Sequence, residues 1–354
     1  MRITFVLPGF VSIPMGGVKV VHEYANRLAQ RGHNVTLIYP LRIQTNVLYH
    51  LKKSVIKLYD HLNGSEKTLY YTPGPKVAVL VVKTISPKYI PDGDAVIAAG
   101  WQTAVPVAEL PESCGKKFYF LQHFETYFKA KKQVLNTFQL PMTKIAIAQW
   151  IIDELEKIGL SAVGPIANAI NSDEYFIESN SSERNNDVIA TYHHMNVKGP
   201  KDLIKTLKLL KKRKNIKATV ISSRKPVHRF PTWVKIILRP SVRELRKLYN
   251  SSRVFLHTSH SEGWGLPVME AMACGCAVVA AANGGVQEYL VHEKNALLAP
   301  IRDVRSLADN IQLILENEQM RKTLSENAVE TVKKYDWNNS VDKFEKILEQ
   351  ENAS

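Results

Sequence analysis

The sequence has little cysteine and no long apolar run. It contains three cysteines, Cys114, Cys274 and Cys276, which are too few and too isolated for a disulfide framework or a metal site. We expect them to be small core residues in a reducing compartment. The most apolar segments, such as Val77–Val82 and Ala95–Ala99, are strand-sized and far below the ~20 residues needed to cross a bilayer. The composition therefore argues against a disulfide-rich secreted domain and against a membrane-spanning chain.

A secretion leader and a metal-binding pattern are also missing. The chain passes from Met1 directly into an apolar segment, without a basic leader, a long apolar stretch and a cleavage site in that order. We find no pair of carboxylates in a metal-ligand context. The sequence predicts a cytoplasmic protein that uses neither a metal nor another cofactor, and it leaves contact with the inner face of the membrane open.

Positive charge is in excess, with 47 Lys and Arg against 33 Asp and Glu, a formal net charge of +14. Such a charge attracts nucleic acid, anionic lipid or phosphorylated ligands without distinguishing them. Residues 46–62 fit a basic amphipathic helix, which could lie in a membrane interface or simply pack on a core. Lys198–Lys217 is a second basic region, and it motivates a rival function as a non-catalytic polyanion-binding or nucleic-acid-binding protein. It lacks interleaved aromatics and any nucleic-acid motif, so we expect no nucleic-acid partner.

Apolar strands alternate with amphipathic helices along the whole chain, and 354 residues are enough for two domains. The predicted strands of the first set are Ile3–Leu7, Val35–Tyr39, Val77–Val82, Ala95–Ala99, Phe118–Leu121 and Ile145–Ala148. The predicted strands of the second set are Val188–Tyr192, Ala218–Ser222, Val234–Leu238, Val254–Thr258 and Cys276–Ala280. This pattern predicts two α/β domains, 1–164 and 165–336, and a closing helix at 337–354. Each domain would have a doubly wound parallel sheet, and their ligand-binding edges could face one another across a cleft.

The segment from Ser259 to Gly275 carries the most specific chemical signal. It lies between a predicted strand and a predicted helix, which places its loop at the carboxyl end of the sheet. Gly263 and Gly265 allow close approach of the backbone to a ligand, and Pro267 suits a first helical turn whose free amides could bind a phosphate. Glu262 and Glu270 flank the loop and could accept hydrogen bonds from sugar hydroxyls. Alone, the two acids would be an ordinary helix acid and a solvated loop residue.

The surrounding residues change that interpretation. The stretch Glu262-Gly-Trp-Gly-Leu-Pro, followed by Glu270-Ala-Met-Ala-Cys-Gly, resembles the double-glutamate signature of family 4 (group 1) retaining glycosyltransferases. Further segments are similar to other blocks of that family: Gly16-Gly17, Asn168-Ala-Ile-Asn, Gly284-Gly285 through Glu288, Asn295–Pro300 and Tyr335-Asp-Trp337. The resemblance implies the GT-B fold, with two Rossmann-like domains facing across a cleft and a C-terminal helix that returns to the first domain. Residues 1–164 would then bind the acceptor and residues 165–336 the nucleotide sugar.

The resemblance also implies roles for individual residues. Glu270 would hold the ribose of the donor, Glu262 the transferred sugar, and Lys198 the diphosphate that leaves. His123 would face the transferred sugar, although a histidine at a strand end is often only a hydrogen-bonded core residue. The implied catalytic residues are Glu262, His123 and Lys198. The implied donor-binding residues are Gly16, Gly17, His193, Lys198, Arg239, Glu262, Gly263, Trp264, Gly265, Leu266 and Glu270.

One position departs from the family. Tyr192 and His193 stand where an arginine usually precedes the phosphate-binding lysine. Either His193 shares the phosphate, which would couple activity to its protonation near neutral pH, or another cation substitutes. Arg224, Lys225 and Arg239 each follow a predicted strand and are the candidates.

The function implied by the resemblance is transfer of a sugar from a nucleoside-diphosphate sugar to a glycan, lipid-linked or small-molecule acceptor. Retention of the anomeric configuration is implied as well, with a phosphate oxygen of the donor taking the acceptor's proton. Two alternatives stay open at this point: the polyanion-binding protein, and a sugar-nucleotide hydrolase or epimerase on the same fold.

Overall fold

A computed structural model describes residues 1–9, 15–43, 71–126, 130–178 and 184–353. The chain divides into two compact units, residues 1–167 with 338–354 (unit 1) and residues 168–337 (unit 2). The predicted amphipathic helix at 46–62 lies outside the described residues. Within them, no helix combines the length and the apolar composition that crossing a membrane requires.

Unit 1 contains a six-stranded parallel sheet in the order β3-β2-β1-β4-β5-β6. Its central strands are almost entirely buried, as expected when helices cover both faces of a parallel sheet. The strands are β1 (Arg2–Val6), β2 (Asn34–Pro40), β3 (Val77–Val82), β4 (Ala95–Ala98), β5 (Lys116–Leu121) and β6 (Thr143–Ala146). The helices are α1 (Gly16–Gln30), α2 (Trp101–Ala108), α3 (Lys131–Phe138) and α4 (Gln149–Glu156), with a 3-10 turn at Glu112–Cys114.

Unit 2 contains a second parallel sheet of six strands, in the order β12-β11-β10-β7-β8-β9. The strands are β7 (Asn186–Tyr192), β8 (Ala218–Ser222), β9 (Val234–Leu238), β10 (Ser252–His257), β11 (Ala277–Ala281) and β12 (Leu297–Ala299). The helices are α5 (Pro200–Arg213), α6 (Val242–Asn250), α7 (Leu266–Ala273), α8 (Gly284–Gln287), α9 (Val304–Glu316), α10 (Glu318–Val332) and α11 (Trp337–Ala353), with a 3-10 turn at Asn196–Lys198. All but the last belong to unit 2.

Helix α11 closes the chain and packs into unit 1, as the resemblance implies. Its Phe344 ring lies 4.7 Å from the ring of Tyr24 and 5.4 Å from that of Phe120, centroid to centroid. At the edge of this contact, Arg31 Nη1 lies 2.7 Å from Glu345 Oε2. The buried aromatic contacts anchor the helix, because each large ring removes apolar area from water.

The strand order reverses at one point in each sheet. In unit 2 this point lies between β7 and β10, which are hydrogen-bonded neighbours although far apart in sequence. Their following loops therefore leave the same edge of the sheet in different directions and open a crevice between them. Such a crevice at the carboxyl ends of parallel strands is where open α/β sheets bind ligands.

Candidate functional site

The loops after β7 and β10 meet at the switch point of unit 2. The His260 N–H donates to the Val197 carbonyl at 2.8 Å, and the Thr258 hydroxyl donates to the Gly199 carbonyl at 3.0 Å. A side-chain contact of 2.6 Å joins His260 Nε2 to Asp202 Oδ2. These contacts hold the two loops in a fixed relation, so side chains on one loop are placed against the other.

Gly199 is the residue that makes this approach possible. Its φ is +62°, and an added Cβ would lie 2.0 Å from the Thr258 carbonyl oxygen. Both the left-handed backbone and the missing side chain require glycine here. Gly199 lies against the end of β10, and this contact places the preceding residue, Lys198, beside the loop that follows β10.

Lys198 and Glu262 form an ion pair at the centre of this crevice. Lys198 Nζ lies 2.8 Å from Glu262 Oε2, and His257 Nε2 lies 3.8 Å from Glu262 Oε1. Burial by itself would raise the pKa of Glu262, but the charges of Lys198 and His257 and hydrogen bonds from Lys198 and Ser259 lower that pKa to about 2. Glu262 is therefore a carboxylate at neutral pH, and it can accept hydrogen bonds.

His257 stands beside this pair as a neutral side chain. Burial is the main cause that lowers the pKa of His257 to about 4, and the lysine adds to the effect while Glu262 opposes it. At neutral pH the site consequently holds one positive and one negative side chain next to an uncharged imidazole.

The loop from Glu262 to Gly265 is shaped by residues that follow it in the sequence. Gly285 lies against the Glu262 backbone, where an added Cβ would be 2.5 Å from the carbonyl oxygen. Tyr289 Oη donates to the Trp264 and Gly265 carbonyls at 3.2 and 3.0 Å. The conformation of the loop thus depends on α8 and the residues after it.

Trp264 contributes to the core of this loop. Its side chain is buried, its Nε1 donates to the sulfur of Met269, and its ring packs against those of Tyr289 and Tyr335. Contact of Trp264 with a donor stays a prediction. Because the indole is buried, the backbone of Trp264 is the group that would make this contact.

Helix α7 begins directly after the loop. Gly265 is its N-cap with φ +92°, no side chain caps the first turn, and Pro267 occupies that turn. Pro267 has no N–H and the Val268 N–H donates to the Gly265 carbonyl at 2.9 Å, so Leu266 is the residue of the first turn whose N–H could serve a ligand. The positive end of the helix dipole favours an anion at this point. The predicted phosphate contacts of Gly263 to Leu266 are compatible with this geometry.

Glu270 projects from the same helix into the interior of unit 2 and is only 7% exposed. Two tyrosine hydroxyls lie close to it, those of Tyr175 and Tyr249. Burial raises the pKa of both hydroxyls, and the charge of Glu270 raises both further. The tyrosines therefore stay protonated beside the carboxylate and restrict where it can point.

His193 lies in a pocket of about 130 Å³ lined also by His194, Ser222, Ser223 and Arg224. Burial is the main cause that lowers the pKa of His193 to about 4, and the nearby positive charges of Lys198 and Arg224 add to it. In the protein alone His193 is therefore neutral at pH 7. Whether it shares a phosphate, one of the two alternatives from the sequence, stays a prediction.

Arg239 braces the loop that carries Arg224. The Arg239 guanidinium donates to the Ser223 carbonyl at 2.9 Å, and the Arg239 amide donates to the Ser222 carbonyl at 2.9 Å. Its φ of 49° is unusual for a residue with a side chain. The structure gives Arg239 a local supporting contact, and its predicted donor contact stays a prediction.

The remaining predicted residues lie in unit 1, at the carboxyl edge of its sheet. The side-chain amide of Gln122 donates to the Gly17 carbonyl at 3.1 Å, and Gly16 and Gly17 begin α1. His123 follows β5, and its ring meets Trp150 edge to face at 5.4 Å. The structure thus groups Gly17 with Gln122 and His123 with Trp150.

Several residues of the site were not predicted from the sequence. His257 ends β10, Asp202 holds His260, and Tyr289 holds the glycine loop. In unit 1, burial raises the pKa of Glu125 to about 7, while a hydrogen bond from the Trp101 backbone opposes the shift. The sequence offers only a weak indication of His257, which is a polar residue at the end of an apolar strand. It offers no indication of Asp202, Tyr289 or Glu125.

Comparison with known proteins finds a family model that matches part of unit 2. Residues 171–331 match the family model described as Glycosyl transferases group 1. An uncharacterized glycosyltransferase of Methanocaldococcus jannaschii is 32% identical over 117 residues, 33% of this chain and 33% of that protein. The N,N'-diacetylbacillosaminyl-diphospho-undecaprenol alpha-1,3-N-acetylgalactosaminyltransferase of Campylobacter jejuni is 29% identical over 106 residues, 30% of this chain and 28% of that protein. The matches span about a third or less of these relatives.

The fold is shared over the whole chain with solved structures. Anabaena HepE, in complex with UDP and glucose, has a TM-score of 0.74 and 18% identity, covering 99% of this chain and 100% of that chain. This likeness confirms the predicted GT-B fold class. The double-glutamate stretch lies inside residues 171–331, the part of the chain that matches the model of the group 1 glycosyl transferases.

Proposed function

We propose that the chain is a glycosyltransferase that transfers a sugar from a nucleoside-diphosphate sugar to an acceptor hydroxyl. The observation that carries this proposal is the Lys198–Glu262 pair at the switch point, 2.8 Å between Nζ and Oε2, next to the start of α7. A cation and the positive end of the α7 dipole suit the diphosphate, and a buried carboxylate suits the hydroxyls of a sugar.

In the proposed reaction, the positive side chains stabilise the charge that develops on the departing diphosphate. Lys198 supplies this charge from the β7 loop, and the amides of Gly263 to Leu266 supply N–H donors from the β10 loop. Such preorganised groups act more strongly on the transition state than on the ground state, because the charge on the leaving group grows as the bond to the sugar breaks. Glu270 would accept hydrogen bonds from the ribose hydroxyls.

Metal independence and retention are parts of the same proposal. The side chains of Lys198, Arg224 and Lys225 could neutralise a diphosphate without a divalent ion. The chain contains one Asp-x-Asp sequence, Asp92-Gly-Asp94, which is a possible metal ligand by its residue types. It precedes β4 and so lies at the amino end of that strand, where Asp94 pairs with Arg2 at 2.8 Å. Undiminished activity in EDTA, and an unchanged anomeric configuration in the product by proton NMR, are the expected results.

The proposed acceptor is a glycan or a lipid-linked sugar. The Campylobacter jejuni relative acts, by its name, on a diphospho-undecaprenol-linked substrate. The cytoplasmic face of a membrane would then be the place of action. Vesicles that contain a polyprenyl-diphosphate sugar should serve as acceptors better than free oligosaccharides.

The first experiment measures thermal stabilisation of the full chain by UDP, GDP, dTDP and ADP and their sugars. A ligand that binds only the folded chain raises its melting temperature by mass action. At a ligand concentration a hundredfold above Kd, the free energy of unfolding rises by about 2.7 kcal/mol. Glu270→Ala should remove the effect, and Glu326→Ala, an exposed acid on α10, should retain it. Stabilisation by none of them at millimolar concentration would contradict the proposal. Release of free sugar without an acceptor would favour a hydrolase, and binding of RNA alone would favour the polyanion-binding alternative.

A further inference from the structure

The pocket beside the Lys198–Glu262 pair has the chemistry of an anion site. It lies after β7 and β8, at the same edge of the sheet as the pair, and Ser222, Ser223 and Arg224 line it. Arg224 is exposed and, among the described residues, has no carboxylate within ion-pair distance. The Ser222 hydroxyl is occupied by the Arg224 backbone, whereas Arg224 and Lys225 bring two positive side chains to the pocket. The pocket therefore offers positive charge that no carboxylate in the described part of the chain neutralises at Arg224.

His193 enters this pocket with a defined tautomer. The Met195 N–H donates to His193 Nδ1 at 3.2 Å, so Nδ1 is the acceptor nitrogen. In a neutral imidazole the proton is then on Nε2. The ring also stacks on His194, with centroids 4.5 Å apart and planes 24° apart, which limits its rotation. The free N–H of this residue therefore has a fixed direction.

Burial and neighbouring side chains together decide the protonation of His193. Burial is the largest effect and disfavours the imidazolium, His194, Lys198 and Arg224 disfavour it further, and Glu262 favours it. A bound anion would raise the pKa of His193 by about 1–3 units, from the starting value of about 4. The Met195 N–H, which points at Nδ1, opposes protonation of that nitrogen, so the neutral ring with its proton on Nε2 is favoured at pH 7.

We propose that His193 binds the donor diphosphate as a neutral hydrogen-bond donor through Nε2–H, and that Arg224, together with Lys198, supplies the positive charge at this pocket. This inference rests on the proposed function, since it names the groups that hold the diphosphate of the same donor. His193 would supply a directional hydrogen bond to the diphosphate, and Arg224, on another loop, would supply positive charge.

The proposal is tested by separating the phosphate contact from the nucleoside contact. Binding of UDP, GDP, dTDP, ADP, their nucleosides and inorganic pyrophosphate is measured by calorimetry on the full chain. His193→Leu should weaken diphosphate binding about tenfold or more, because it removes a hydrogen bond to a charged group. His193→Gln, which keeps an N–H donor near Nε2, should stay within about threefold of wild type. Neither variant should change the affinity of the nucleoside.

Arg224→Ala should weaken the binding of nucleoside diphosphates and of pyrophosphate about tenfold or more. It should change no other measured affinity. The matched control is Lys235→Ala, which removes an exposed cation on β9 away from the pocket and should leave diphosphate affinity unchanged. Equal weakening by both variants would show a general charge effect and would overturn the assignment of Arg224.

The tautomer is read by nitrogen-15 NMR of the histidine ring, which needs no ligand. The expected pattern is a neutral ring at pH 7 with the proton on Nε2, before and after addition of pyrophosphate. An imidazolium at pH 7, or a proton on Nδ1, would overturn the proposal. If wild type binds a nucleoside diphosphate and both His193→Leu and Arg224→Ala bind it equally well, this inference fails while the proposed function stands. If neither diphosphates nor pyrophosphate bind wild type, both fail.

Discussion

Breaking the Lys198–Glu262 pair should cost more stability than breaking an ordinary surface pair. Lys198→Met would leave the Glu262 carboxylate buried without its main partner, and Glu262→Gln would leave Lys198 without a counter-charge. The double variant removes both charges, so it should be less destabilised than the sum of the single variants. The difference is the coupling energy of the pair.

The magnitude follows from the lowered pKa of Glu262. A fall from the ordinary 4.5 to about 2 corresponds to about 3 kcal/mol of net stabilisation of the carboxylate. This is an upper value for the pair, because the charge of His257, which is absent at pH 7, contributes to the shift. The side chains of Lys198 and Glu262 are also 23% and 15% exposed, so solvent screens part of the attraction. We expect a coupling energy of about 2 kcal/mol.

The same pKa fixes the pH dependence of this contribution. The folded chain holds the Glu262 proton more weakly than the unfolded chain does, so the unfolded state binds more protons at acid pH. The contribution is therefore complete above pH 4.5 and is lost as the pH falls towards about 2. At pH 7 the full coupling should be observed.

Amide hydrogen exchange on the full chain is the suitable assay, since a two-unit protein need not unfold in one step. Opening free energies are compared for peptides from β7 and β10 in wild type, both single variants and the double variant. The exposed pair Lys157–Glu154 in unit 1, with side chains 66% and 37% exposed, is the control and should couple by less than about 0.5 kcal/mol. A Lys198–Glu262 coupling no larger than that of this control would refute the reasoning.

Three further predictions concern other parts of the fold. Gly199→Ala should destabilise unit 2 by well over 1 kcal/mol and abolish nucleotide binding, whereas Gly159→Ala, with φ +75° but open space around it, should cost only about 1 kcal/mol of backbone strain; differential scanning calorimetry and the nucleotide titration distinguish the two. His257→Gln should flatten the fall in stability between pH 6.5 and about 4, because the unfolded chain then no longer gains a proton that the folded chain resists; equal slopes for wild type and variant in denaturant titrations would contradict this. Phe344→Ala should destabilise unit 1 by about 3–5 kcal/mol by leaving a cavity against Tyr24 and Phe120, and hydrogen exchange of β1 peptides should show it while those of β10 stay unchanged.

Much of the fold could be predicted because parallel strands buried on both faces are continuous apolar runs. The strands Val77–Val82, Ala218–Ser222 and Val234–Leu238 have the predicted bounds. Helices α2 and α3 were not predicted, since α2 is short, contains Pro106 and has apolar residues on most sides. Strand β12, with three residues, is too short to show a period.

The candidate site was predictable where backbone geometry dictates the residue. Glycines such as Gly199 and Gly265 and the acids Glu262 and Glu270 stand in a local pattern that the sequence displays. The partners His257, Tyr175 and Tyr249 could not be found that way, because the fold brings them to the acids from separate elements. Local spacing carries no information on such contacts until the sheet order is known.

Under the proposed function, the Lys198–Glu262 pair also explains how a buried carboxylate and a diphosphate could share one crevice. Without Lys198, burial would favour the uncharged form of Glu262 more strongly, because burial raises its pKa, and an uncharged Glu262 is a poorer acceptor for sugar hydroxyls. Lys198 keeps it charged before any ligand binds, and a diphosphate that takes over part of the lysine's charge leaves Glu262 to gain hydrogen bonds from the sugar on the same ligand. Both charges are thus satisfied in the empty and in the occupied site. Donors that carry both a diphosphate and a sugar should therefore bind more tightly than a nucleoside diphosphate alone, and Glu262→Gln should reduce that difference.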